Sequence, residues 1–172
     1  MDEHAPLRYA DGPSTEISVL VHAPSAAVWD LVTDITVPAR FSEELQEATW
    51  LDGAAPAVGA RFTGRNRHAA IGEWETTSTV VACDENERFG WVVGDPTEPS
   101  AQWAFTLARP DDGADGTVLT QWMRMGPGRS GINPAIDAMP DKESKILHRR
   151  LQEHRLNMVK TLEGIKALAE GA

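Results

Sequence analysis

From Glu16 to Ala23, Ile17, Val19 and Val21 alternate with Ser18, Leu20 and His22, the period of a strand with one buried face. Pro24 and Ser25 then open a helix in which Val28, Trp29, Leu31 and Val32 recur at helical spacing up to Asp34. A second short helical turn is expected near Pro38 to Phe41. Six strand-like runs follow, at Leu45 to Leu51, Ala60 to His68, Glu73 to Ala82, Phe89 to Val93, Ala101 to Ala108 and Val118 to Met125. The breaks between them, among them Asp52-Gly53, Gly94 to Pro99 and Asp111 to Gly116, are rich in turn-forming residues. Such short breaks predict an antiparallel meander, and no long helix separates the strands as a doubly wound parallel sheet would need.

Residues Met1 to Pro13 show no clear period and read as a loose tail, which leaves one domain over 15–170. Gly126 to Pro140 carries three Gly and three Pro with little periodicity, a loop long enough to act as a lid. Beyond it Asp141 to Ala169 reads as one long helix, with Asp141 as its N-cap candidate. Leu147, Leu151, His154, Met158, Leu162 and Ile165 form one apolar stripe at steps of three or four. The only large surface available to bury that stripe is the sheet.

Charge predicts the register of one hairpin. Setting Arg67 opposite Glu73 and Arg65 opposite Glu75 brings opposite charges together on the outer face, worth roughly 0.2–1 kcal/mol per pair. The inner face then places Asn66 beside Trp74, Gly64 beside Thr76 and Phe62 beside Ser78. Trp91, Trp103, Phe105 and Leu107 continue that face, and on the last strand Leu119, Gln121 and Met123 point inward. Buried Trp and Asn need hydrogen-bond partners, from each other or from a ligand or water.

Composition narrows the partners. Twenty-six acidic against sixteen basic residues give a net charge of -10, which repels nucleic acid and anionic membranes. Lys142, Lys145, Arg149, Arg150, Arg155 and Lys160 cluster near the C-terminus and read as a solvated helix face. No signal segment or membrane span is recognisable, and the single Cys83 fits a reducing compartment and a place in the core. A cytoplasmic protein without stable membrane insertion is expected, as monomer or homodimer. The five histidines show no metal-site spacing and no Gly-rich phosphate motif is present, so neither metal nor cofactor is expected.

Individual segments are similar to a known family. His22-Ala-Pro-Ser-Ala-Ala-Val-Trp-Asp-Leu-Val-Thr-Asp34 resembles the first strand-to-helix junction of the bacterial polyketide cyclase/dehydrase-like branch of the START-like helix-grip superfamily (SRPBCC). Val58-Gly-Ala-Arg-Phe-Thr-Gly-Arg-Asn-Arg67, with Trp74-Glu-Thr-Thr, resembles its third and fourth strands. The resemblance implies an α+β helix-grip fold: a curved seven-stranded antiparallel sheet wrapped around the long C-terminal helix, with two short helices after the first strand. It also implies an internal cavity for a small hydrophobic molecule, lipid or polyketide-like.

From residue type alone the aromatics read as the filling of a solid core; the resemblance shifts the balance to a cavity. Its expected lining is Phe62, Asn66, Trp74, Thr76, Trp91 and Trp103, with Phe105, Gln121, Met123, Leu151, His154 and Met158. His154 reads either as a satisfied core residue or as an acid or base whose ordinary pKa suits proton transfer. Three function classes stand: a carrier or binder of an apolar metabolite, a polyketide cyclase/dehydratase using Asn66, Gln121 or His154, and an interaction module with a vestigial pocket. None of those three residues is an obvious strong base, which favours binding.

Overall fold

The computed structural model describes residues 5–171. The expected alternation produces strand β1 (Ser14–Val21), after which α1 (Ser25–Val32) buries Val28 and Val32, one helical turn apart. A 3-10 turn at Pro38–Arg40 leads into β2 (Leu45–Trp50), β3 (Arg61–His68), β4 (Gly72–Asp84), β5 (Arg88–Val93), β6 (Ala101–Ala108) and β7 (Thr117–Met125). The seven strands form one sheet in the order β1-β7-β6-β5-β4-β3-β2, antiparallel throughout. The architecture is the α+β helix-grip expected from the sequence, the curved sheet closing on helix α3 (Glu143–Ala169).

The β3–β4 register is the expected one: Arg67 faces Glu73, Arg65 faces Glu75, Asn66 faces Trp74, Gly64 faces Thr76 and Phe62 faces Ser78. The ion pairs are different. Arg65 closes on Glu47 of β2 at 3.0 Å, and Arg61 on Asp52 at 3.4 Å. The register therefore rests on burial of Phe62, Gly64, Ser78 and Val80 along one face, since exposed pairs contribute little. Leu119, Gln121 and Met123 of β7 point inward, 0%, 6% and 1% exposed. Cys83 is half-buried, packed against the main core.

Helix α3 buries Leu147, Met158, Leu162 and Ile165 of the expected stripe, together with Thr161 and Gly164. Gly164 lets the helix pack directly on Phe41, because a Cβ there would run into the Phe41 ring. Asp141 is not the N-cap. Pro140–Lys142 forms a 3-10 turn, and Lys142 occupies the cap position without a side-chain bond. The Gly126 to Pro140 loop also holds an unexpected helix, α2 (Asn133–Ala138), in which Asn133 and Ile136 are buried.

The expected loose tail is corrected from Leu7 onward. Leu7 N donates to Ser144 Oγ at 3.0 Å, and Tyr9 N to Glu143 Oε1 at 2.8 Å. The Tyr9 hydroxyl donates to Gly128 O at 2.5 Å, and burial of the ring raises its pKa. Tyr9 packs with Met123, Met125, Ile136, Leu147 and Met158 in a second core cluster, so this segment pins the start of the loop against α3. The tail expected over 1–4 lies outside the described residues.

Candidate functional site: a cavity between helix and sheet

A cavity of about 490 Å³ lies between α3 and the concave face of the sheet, within the range of small-molecule sites. Its aromatic wall is centred on Trp91, whose ring lies 6.0 Å from Phe62, 5.7 Å from Phe89 and 5.8 Å from Phe105. Trp103 runs nearly parallel to Trp91, at 7° and 6.4 Å. Alternation explains the wall: β5 and β6 pair Phe89 with Phe105 and Trp91 with Trp103, so all four rings fall on one face.

Of the expected lining, Phe62, Asn66, Trp74, Thr76, Trp91 and Trp103 border the cavity, as do Phe105, Gln121, Met123, His154 and Met158. Leu151 does not. It packs instead against the second core cluster, whose buried members include Tyr9 and Leu147. Where the α2 loop meets the β3–β4 turn, a Cβ on Gly131 would lie 3.8 Å from Ile71, and both residues border the cavity.

A charged group that the sequence reading missed stands at the cavity edge. Arg150 was expected on a solvated face, yet its side chain is only 11% exposed and grips Glu44, 13% exposed, through two bonds of 2.5 and 2.8 Å. Arg150 Nη1 also reaches Glu153 Oε2 at 3.1 Å, and the same oxygen meets His68 Nε2 at 3.0 Å. The network joins the residue before β2, the end of β3 and the middle of α3. Burial works against the charge on Arg150, but the hydrogen bonds and charges of Glu44 and Glu153 outweigh it and raise its pKa. Burial likewise opposes ionisation of Glu153, but Arg150 and His68 overcome it and hold its carboxyl below the usual range. The one sequence signal for this site, opposite charges at Glu44 and Arg150, spans 106 positions.

His154 stands beside the network on the cavity wall. Its ring meets the edge of Trp103 at 5.4 Å, and burial, reinforced by the charges of Arg150 and His68, lowers its pKa to about 3. The imidazole is therefore neutral at physiological pH, which corrects the expectation of an ordinary titration. A neutral ring can still donate or accept a hydrogen bond, but it is a weak base.

The remaining polar groups are mostly occupied. Asn66 Nδ2 donates to Gly64 O at 3.3 Å, and Thr76 Oγ1 to the same oxygen at 3.4 Å. Gln121 differs, since its Oε1 is buried and has no hydrogen-bond partner among the described residues. Leaving such a group unpaired costs about 1–3 kcal/mol. Among the described residues no group of three His, Cys, Asp or Glu is arranged to hold a metal ion. No helix among them is long and apolar enough to cross a membrane.

The model of one protein family, described as polyketide cyclase / dehydrase and lipid transport, matches residues 13–163. The chain belongs to that family. A solved member-like structure, a polyketide-cyclase-like protein from Corynebacterium glutamicum, is 30% identical, with 92% of each chain covered and a TM-score of 0.64. The di-domain ARO/CYC BexL from the BE-7585A biosynthetic pathway is 18% identical over 96% of this chain and 52% of its own, with a TM-score of 0.69. The Zhui aromatase/cyclase from Streptomyces sp. R1128 is 16% identical over 92% of this chain and 94% of its own, with a TM-score of 0.64. At these identities the two aromatase/cyclases share the family's fold with this chain. No curated protein matches it.

Proposed function

We propose that this protein binds a small hydrophobic molecule, lipid or polyketide-like, in the cavity between α3 and the sheet. The observation that carries this reading is the character of the lining: a hollow of about 490 Å³ walled by Phe62, Trp91, Trp103, Phe105 and Met123, whose exposed surface is mostly apolar. Burying an apolar surface there is worth about 25 cal/mol per Å² removed from water. The family description, which includes lipid transport, supports the same reading.

The second reading is a polyketide cyclase/dehydratase acting on a poly-β-keto chain. The family description and the aromatase/cyclase relatives support it, as does the presence of Asn66, Gln121 and His154 at the cavity. The available bases argue for binding instead. His154 is held neutral with a pKa of about 3, and both oxygens of Glu44 are engaged by Arg150. Neither is poised to remove a proton from a ketide at neutral pH.

The test uses N-phenyl-1-naphthylamine, an uncharged apolar fluorophore. Saturable one-to-one binding is expected, with quenching of tryptophan emission, and it should be lost when Thr76→Phe fills the hollow. Absence of saturable binding to the wild-type protein overturns the proposal. Turnover of a model poly-β-ketone that collapses in His154→Ala would establish the enzyme reading in its place.

A further inference from the structure

Of the described residues that border the cavity, only Glu44, Arg150 and His154 are titratable, and His154 is kept neutral. Arg150 is therefore the cation within reach of a bound molecule. Its guanidinium is already engaged: Nη2 donates to Glu44 Oε1 at 2.5 Å, and Nη1 to Glu44 Oε2 at 2.8 Å and Glu153 Oε2 at 3.1 Å. The remaining charged neighbours do not restore a positive site. His68, at the end of β3, is spent on Glu153, and Arg149, which meets the other Glu153 oxygen at 3.5 Å, is 80% exposed on the solvent side of α3. Among the shielded members, two carboxylates face one guanidinium and one imidazole, so the network has no net positive charge in either state of His68. A bound anion would give up its hydration and find neither free donors nor an uncancelled charge.

We propose that Glu44 occupies the place a ligand carboxylate would take on Arg150, and so makes the cavity selective for uncharged amphiphiles against ionised fatty acids. The inference rests on the ligand-binding reading above and narrows its ligand class to alcohols, ketones and esters. Planar two-bonded contact is the geometry in which a guanidinium recognises any carboxylate, and here the protein supplies that carboxylate itself. Because Glu44 also borders the cavity, shortening its reach or removing its charge opens Arg150 to the same hollow.

The experiment measures displacement of N-phenyl-1-naphthylamine by 1-decanol and by decanoate at about pH 8, where the fatty acid is ionised. Wild type should prefer the alcohol. Since water also favours the anion, the decisive quantity is the change in that preference in Glu44→Gln, which should shrink about tenfold through gain of decanoate binding, a factor that one charged hydrogen bond supports. Glu153→Gln, which frees Nη1 in part, serves as the second variant should the first fail to fold, and should shift the ratio in the same direction. Glu43→Gln removes an equal charge next door, on a side chain paired with Lys160, without freeing Arg150, and should leave the ratio as in wild type. Equal affinities for the two probes in wild type, an unchanged ratio in the Glu44 and Glu153 variants, or an equal gain in Glu43→Gln would overturn the role of Glu44 while the binding function stands. If neither probe nor N-phenyl-1-naphthylamine binds, the cavity reading fails and takes this inference with it.

Discussion

Arg150 and Glu44, 106 residues apart in the chain, form a two-bonded ion pair at 2.5 and 2.8 Å with side chains only 11% and 13% exposed. Removing one partner leaves the other charge in a poorly hydrated site. Arg150→Met should therefore lower stability by about 3 kcal/mol, the lower end of the range for a broken buried pair. Adding Glu44→Gln should recover a large part of the loss. Urea denaturation of both single variants and the double variant measures the coupling, and simple additivity would show that the pair is not energetically linked.

His154 makes stability depend on acid. Its pKa is 6.5 in the unfolded chain and about 3 in the fold, because burial disfavours the imidazolium. Below the higher value the unfolded state binds the extra proton, so stability is full above pH 6.5 and declines as pH falls toward 3. This one group should contribute a loss of about 2 kcal/mol between roughly pH 7 and pH 5. The stability gap between wild type and His154→Gln, followed by denaturation across that range, should narrow by the same amount. A gap that stays constant would show that His154 titrates alike in both states.

Trp74 and Phe105 both border the cavity, but they are buried to different degrees. Phe105 is 1% exposed and belongs to the main core, while Trp74 is half-buried on the wall. Phe105→Ala should cost about 3–5 kcal/mol, and Trp74→Ala only about 1–2 kcal/mol, since much of its ring faces a hollow already present. Equal losses in a denaturant series would mean that Trp74 is packed as tightly as a core residue.

Gly164 should reverse the usual sign of a helix substitution. In an open helix interior, Gly→Ala stabilises by about 1 kcal/mol. Here the new methyl group would meet the Phe41 ring, so Gly164→Ala should destabilise by about 1–3 kcal/mol, as overpacking does. A rise in thermal midpoint would show that Phe41 can move aside freely.

Most of the cavity wall was legible because strands alternate. Once β3 and β4 are paired, Phe62, Asn66, Trp74 and Thr76 must share a face, and the pairing of β5 with β6 does the same for Trp91, Trp103 and Phe105. Leu151 was misplaced because a helical stripe specifies a buried side without saying which partner covers each residue. The cluster it packs against includes Tyr9, more than a hundred positions away.

The amino-acid sequence by itself determined the element order, the inward and outward faces of the strands and the family, since these follow from local periodicity and short motifs. Tertiary structure alone decided that Arg150 turns inward to Glu44, that His154 is held neutral, that Tyr9 pins the α2 loop, and that Gln121 Oε1 has no hydrogen-bond partner among the described residues. Each of these depends on contacts between distant segments and on how much water is excluded around them, and neither leaves a periodic trace along the chain.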